Sequence, residues 1–489
     1  MREGKGSHLL CSWLCCGLLL SCGGSDQEAG QGAGPGQVPR ERTLILGLNQ
    51  MQDYDAFNPF IPGVVSSTGS NFLFEPLYYY NAFSEDNNLI PWIAESHQYN
   101  EDFSEVTIKI RDGVKWSDGM PWTAADVVFT INMLKANAPE LILSTDMKTW
   151  VKEAVVVDPL TARIVLTAPN PRFLFSYFTD CFVNGVRIVP EHIWKDKDAK
   201  TFKNLDLAKG WPVVSGPYKL AASMPEQRVW DLRKDWWAVA VGFQSLPKVE
   251  RIIYLPFGNE AKWVQQLLSN EIDSSVDLRP VNIKSVLDQN PKISTWTGRE
   301  PPYGYLDWWP LSLGFNNLEA PFDDPEIRWA VNYAINRQQV IDVGWQGAGK
   351  FTLHPYPEYP PLMRYIDEIE DLFDKYQLNT YDPSRSAEIM QRKGWQKDEG
   401  GFWSKEGERF KMVVDVFPNL FQDFTPVLIE QLRQAGFEAS FRATNDAYTR
   451  MTQGTARAFV MGHAASVRDP YFTLRLYHSR FVQPTGTAA

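Results

Sequence analysis

Between Val106 and Leu134 the chain reads VTIKIRDGVKWSDGMPWTAADVVFTINML, and three local signals there agree on alternating strand and helix. Val106, Ile108 and Ile110 alternate with Thr107, Lys109 and Arg111, the period of a strand with one buried face. Asp112-Gly113 supplies the positive backbone angles of a tight turn, so a hairpin is expected, and Ser117-Asp118-Gly119 makes a second turn. Thr123 with Asp126 three positions later is a capping-box pattern, opening an amphipathic helix that places Val127, Ile131 and Leu134 on one face. None of these residues carries chemistry.

At 489 residues the chain exceeds what one hydrophobic core serves, and two or three packed units are expected. A formal net charge of -11, without basic runs or basic-aromatic interleaving, argues against nucleic acid as a partner. No internal repeat or second apolar span is present, so a channel or permease is excluded. The amino terminus has a basic start at Arg2 and Lys5, then an apolar stretch from Leu9 to Leu20 that is short for a membrane span. Residues 23–41 are mostly Gly, Gln, Pro and acid, a flexible tether. Of the five cysteines, Cys11, Cys15, Cys16 and Cys22 belong to the leader, which leaves Cys181 alone in the body; a disulfide framework and a cysteine metal cluster are excluded. Cys181 reads as a small buried hydrophobe.

The marks of an enzyme are missing. There is no H-E-x-x-H, no G-x-S-x-G elbow and no P-loop, and the histidines never pair at metal-ligand spacing, so no catalytic residue, metal or cofactor is assigned. Asp323-Asp324, Asp367 with Asp371, and Asp398-Glu399 read as helix starts or solvated surface, and His192 reads as structural. What the chain has in quantity is tryptophan, 18 residues including Trp236-Trp237 and Trp308-Trp309. Indole faces stack on the CH faces of pyranose rings and their N–H groups bond hydroxyls, although most tryptophans in a protein this large fill cores.

The run RDGVKWSDGMPWTAADVVFTI resembles the signature segment of the peptide, nickel and oligosaccharide group of solute-binding proteins, the extracytoplasmic receptors of ABC importers (family 5). Further matches follow in order: PWIAESHQYNEDFSEVTIKI before it, SGPYKL from Ser215, NEIDSSVDL from Asn270, and LSLGFNNLEAPFDDPEIRWAVNYAINRQQVI from Leu311. The resemblance covers about Thr43 to Tyr471 and implies an α/β, two-lobed periplasmic-binding-protein-like fold, type II in the large three-domain cluster, with a ligand cleft between the lobes. The domains it implies are a lipoprotein signal peptide at 1–22, the tether at 23–41, a first lobe from 42–70 and 205–302, a second domain at 71–204, a second lobe at 303–475, and a truncated tail at 476–489. Leu19-Leu20-Ser21-Cys22 looks like a bacterial lipobox, with Cys22 as the lipidation site.

The resemblance also implies partners: a small-molecule ligand, ABC permease subunits and, through the lipid anchor, the membrane. A monomer exported to the periplasmic or cell-surface side is expected. Candidate ligand contacts are Asn49, Gln50 and Asn58 after the first strand, Trp308 and Trp309 before the crossing into the last lobe, and His463, Ser466 and Arg468 opposite. Peptide-binding members read W-x-A-D-Y-x-x-P where this chain has GHAASVRDPY, and their aspartate pairs with the peptide α-ammonium group. Anchoring on Pro470 puts Ser466 at the aspartate and His463 at the tryptophan. A neutral serine supplies no counter-charge for a buried ammonium, whose unpaired burial costs several kcal/mol. An oligosaccharide is therefore the expected cargo, with an oligopeptide as the alternative, and nickel chelates or a sensor or structural lipoprotein behind them.

Overall fold

A computed structural model of the chain describes residues 38–48, 54–61, 73–86, 88–180, 185–256, 259–275, 278–418, 421–462, 466–479, 482 and 484–486. Cys22, Asn49, Gln50, Cys181 and His463 lie outside them.

The strand Thr43–Leu48 does not pair with its neighbours in sequence but runs parallel to Arg251–Pro256. That strand pairs antiparallel with Gln227–Leu232, and Tyr218–Met224 completes a four-stranded sheet. Apolar residues occupy both faces of Thr43–Leu48, as burial on two sides requires. Gly47 accommodates a ring on one of them: a Cβ there would fall 0.9 Å from Trp263 Cζ3. On the other side of Thr43–Leu48, Ser274 forms a parallel bridge with Leu46, and the Asp273 carboxylate accepts from the Ile45 backbone N–H at 2.7 Å and from Arg40 at 2.8 Å.

The alternation at Val106 to Ile110 forms the strand Glu105–Ile110, with Val106, Ile108 and Ile110 fully buried. The expected hairpin at Asp112-Gly113 does not form. The strand pairs instead with the preceding Ala94–Tyr99 and with Thr161–Leu166, while Val151–Asp158 forms the far edge. Gly113, at φ +81°, redirects the chain into a loop closed by Trp116 N–H donating to the Met120 carbonyl at 2.9 Å. Beyond it, Thr123 caps the helix Ala124–Ala136, and the Asp126 carboxylate accepts from Thr123 N–H at 2.8 Å, which is the capping box read from the sequence. Val127, Ile131 and Leu134 are all buried.

The carboxyl-terminal half builds a second mixed sheet in the order Leu311–Phe315, Ala458–Gly462, Lys411–Val416, Glu438–Ala443. The helices of this half include Pro325–Tyr333, Pro383–Arg392 and Thr425–Gln434, the first capped by Asp324, whose side chain accepts from Glu326 N–H at 2.9 Å. Thus Asp324 is a helix start, and Asp398 is held on the surface by Arg409 at 2.5 Å.

Val38 to Ala489 packs as one unit with two large hydrophobic cores, one drawn from residues between Phe57 and Tyr254 and the other between Phe322 and Val460. Tryptophan mostly fills them: Trp116, Trp122, Trp194, Trp230, Trp237 and Trp403 are almost wholly buried there, and Trp263 is as deeply buried in a separate small cluster. Trp236 and Trp237 converge with Trp92 on Glu75, itself 2% exposed, and their indole N–H groups donate to its carboxylate at 3.2, 2.6 and 2.9 Å respectively. Burial pushes the Glu75 carboxyl up to about 7, against the pull of those donors and of Arg233. Among the described residues no helix is long and apolar enough to cross a membrane, and no three His, Cys, Asp or Glu side chains gather to hold a metal ion.

Candidate ligand site at the seam between the cores

The last strand pairing places Leu311, which follows the aromatic run at 303–309, opposite Gly462. Trp309 is half-buried and sits on Gly462, where a Cβ would fall 2.2 Å from its Cδ2, and it tilts against Phe421 at 5.9 Å. That close approach requires glycine at 462. Trp308 turns the other way and packs on a third, smaller apolar cluster. Tyr80 and Ala82 enter this cluster from the amino-terminal half, and Tyr356, Tyr359, Leu362, Ile366 and Val467 from the carboxyl-terminal half. Its position makes it a seam between the two cores.

Polar side chains stitch the same seam. Arg468 is 2% exposed and donates through Nη1 to the carbonyls of Thr179 at 2.5 Å and Phe175 at 3.0 Å, while Asp469 is ion-paired with Arg172. Burial works to raise the Tyr365 hydroxyl, but hydrogen bonds and charge from Arg172 and Arg364 outweigh it and hold it below the usual tyrosine range. Arg279, held by Glu260 at 2.6 Å, reaches Asp423, a neighbour in sequence of Phe424 of the second core, at 3.4 Å. A buried pair, Arg187 and Asp180 at 2.7 Å, lies beside the carbonyl that Arg468 engages.

The structure therefore brings Trp308, Trp309, Ser466 and Arg468 into one neighbourhood but gives the polar two work within the fold. Ser466 is fully buried, donating to the Pro470 carbonyl at 3.1 Å and accepting from Thr473 N–H at 2.9 Å. Asn58 lies elsewhere, fully buried in the first core, where its amide donates to the carbonyls of Ala199 and Phe202 and its oxygen accepts from Phe60 N–H. Residues that sequence reading missed are aromatic. Phe83 and Tyr305, 62% and 55% exposed, meet edge to face at 5.2 Å, and Tyr359 stacks on Tyr305 at 6.2 Å. Tyr305 lies in the aromatic run that flagged Trp308, but nothing local points to Phe83. Exposed ring faces fixed by a neighbouring ring can stack on an apolar or sugar ligand face.

Two large cores, each with its own mixed sheet, and aromatic and charged groups meeting at the seam between them fit a two-lobed binding-protein fold. The solved structures agree. A mannohexaose-bound periplasmic oligopeptide-binding protein of Thermotoga maritima superposes with a TM-score of 0.69 at 24% identity, over 87% of this chain and 77% of that one. The chain belongs to the bacterial extracellular solute-binding proteins, family 5, whose middle-region model matches residues 88–483. Among curated proteins it is 25% identical over 369 residues to the glutathione-binding protein of Pectobacterium atrosepticum, covering 74% of this chain and 63% of that protein. It is also 25% identical over 362 residues to the dipeptide-binding protein of Escherichia coli, covering 70% and 62%. The chain thus matches less than two thirds of the length of these two relatives.

Proposed function

We propose that this protein is an extracytoplasmic receptor of an ABC importer, lipid-anchored through Cys22, that captures an oligosaccharide between its lobes and presents the closed form to the permease. No bond is made or broken. Closure needs a ligand that binds the closed form better than the open one, since only that difference can shift the equilibrium.

The observation that carries the choice of a neutral ligand is the state of the carboxyl-terminal segment. Ser466 stands where peptide-binding members of the family carry an acid, and its hydroxyl serves the local backbone. The neighbouring acid, Asp469, is neutralised by Arg172 and accepts from Tyr471 N–H at 2.6 Å. The exposed faces of Phe83 and Tyr305 and the bound mannohexaose of the Thermotoga relative point the same way. The second reading, an oligopeptide, is favoured by the glutathione- and dipeptide-binding relatives.

The mature protein, screened by thermal unfolding against α- and β-linked oligosaccharides and against peptides with free or acetylated amino termini, separates the two. A specific ligand raises the unfolding midpoint as its concentration passes its Kd. Stabilisation by oligosaccharide, weakened in Tyr305→Ala and Trp308→Ala, is the expected result. Stabilisation by peptides alone, abolished by acetylation, would establish the peptide reading instead.

A further inference from the structure

Behind the seam, the carboxyl-terminal half has a half-open pocket of about 420 Å³ that the ligand site does not use. Phe351, Ile366 and Phe373 give it apolar walls, and Thr352, His354 and Glu358 bring polar atoms into it. The side chain of His354 is 4% exposed, so its hydrogen bonds are set by the fold. Nδ1 lies 2.8 Å from the Tyr356 carbonyl, an acceptor only, and must therefore carry the proton. Burial depresses the imidazole below its ordinary pKa, which keeps the second nitrogen unprotonated at neutral pH.

Nε2, left as an acceptor, takes the Thr352 hydroxyl at 3.0 Å in this structure and lies 3.8 Å from Glu358 Oε1. Two acceptors facing each other at that distance make no hydrogen bond, and a group with several N–H donors set beside them would serve both. The Thr352 hydroxyl, 3.0 Å from Nε2 and 3.3 Å from the His354 carbonyl, can turn its proton to the carbonyl and offer a third acceptor. At the rim, Lys350 already places an ammonium on the other oxygen of Glu358. The carboxylate is thus a working ammonium acceptor from the solvent side. Phe373 lies nearly parallel to the imidazole, 25° between planes and 6.0 Å between centroids, and supplies a flat apolar wall for whatever carries the charge.

We propose that this pocket binds a primary ammonium group carried on a small apolar body, with Glu358 Oε1, His354 Nε2 and the Thr352 hydroxyl as its acceptors and Phe351, Ile366 and Phe373 around the body. The site is independent of the oligosaccharide reading. Lys350 is its built-in competitor. Because Ile366 also belongs to the apolar cluster at the seam, an occupied pocket lies directly behind a wall that the two halves share.

The test is calorimetric titration of the full chain with 2-phenylethylammonium, with 2-phenylethanol as the uncharged counterpart, and no sugar or peptide present. The amine is expected to bind and the alcohol to bind at least about tenfold more weakly, the size of one charge-assisted hydrogen bond. Lys350→Met removes the competitor and should tighten amine binding, whereas Glu358→Gln should weaken it by about tenfold or more. His354→Leu, which keeps an apolar wall but removes the Nε2 acceptor, serves if Glu358→Gln fails to fold and is expected to weaken binding in the same direction. No heat with either wild type or Lys350→Met, equal binding of alcohol and amine, or undiminished binding by Glu358→Gln or His354→Leu would each overturn the site. None of these outcomes bears on whether the seam takes sugar or peptide.

Discussion

Two short stretches of this protein bury polar side chains for the same purpose by different means. Around the helix Ala124–Ala136, Asp126 is 4% exposed and holds Thr123 N–H three positions back, the Glu191 N–H and the Trp116 indole. In the segment after Gly462, Arg468 holds two carbonyls that lie 293 and 289 positions away. The first arrangement is nucleated by a bond inside one turn of chain and recruits distant groups afterwards. The second does not exist until two halves of the molecule have met. The same burial therefore signals a local motif in one place and an assembly contact in the other.

That contrast can be broken or sharpened by substitution. Arg468→Met keeps the bulk but removes a charged donor from two buried carbonyls, and should destabilise the folded protein by about 3–5 kcal/mol in urea unfolding. Unchanged stability with lost ligand binding would instead make Arg468 a ligand residue. A second measure concerns Glu75, whose folded pKa of about 7 lies above its ordinary value of 4.5. A raised carboxyl contributes stability that is fully present below pH 4.5 and is lost as pH rises through about 7. The loss over that window should be at most about 3 kcal/mol, and Glu75→Gln should flatten it. A wild-type and variant profile of equal slope would show that the three indoles stabilise the anion fully. Smallest is Asp126→Asn, which keeps an acceptor oxygen for the cap but turns an NH2 toward one of the remaining donors, for about 1–2 kcal/mol. A cost as large as that of Arg468→Met would erase the distinction between local and assembled contacts.

Legibility in the sequence follows the same line. The capped helix and the buried face of Glu105–Ile110 were readable because period and cap are local. The turn at Asp112-Gly113 was read as a turn, yet the partner strand was misassigned, since turn chemistry does not name the strand that will pair. Ser466 was singled out by resemblance at a family position, but its two backbone partners could not be seen from the residue type. Asn58 failed similarly: a polar residue after a strand looks the same whether it faces a ligand or, as here, two carbonyls in a core. Phe83 left no trace because its meaning depends on Tyr305 and Tyr359, far along the chain.

The parallel pairing of Thr43–Leu48 with Arg251–Pro256 carries a consequence for how the molecule comes into being. Arg42 and Glu250, which form an ion pair at the start of that pairing, are separated by 208 positions. A chain emerging amino end first therefore delivers its opening strand long before the partner exists, and closing so wide a loop must be offset by contacts made only afterwards. The sheet running from Ala94–Tyr99 to Thr161–Leu166 has all its strands within that interval. In the first sheet, Tyr218–Met224, Gln227–Leu232 and Arg251–Pro256 can pair in the order they are made, whereas Thr43–Leu48, made before all three, can join only after Arg251–Pro256 has emerged.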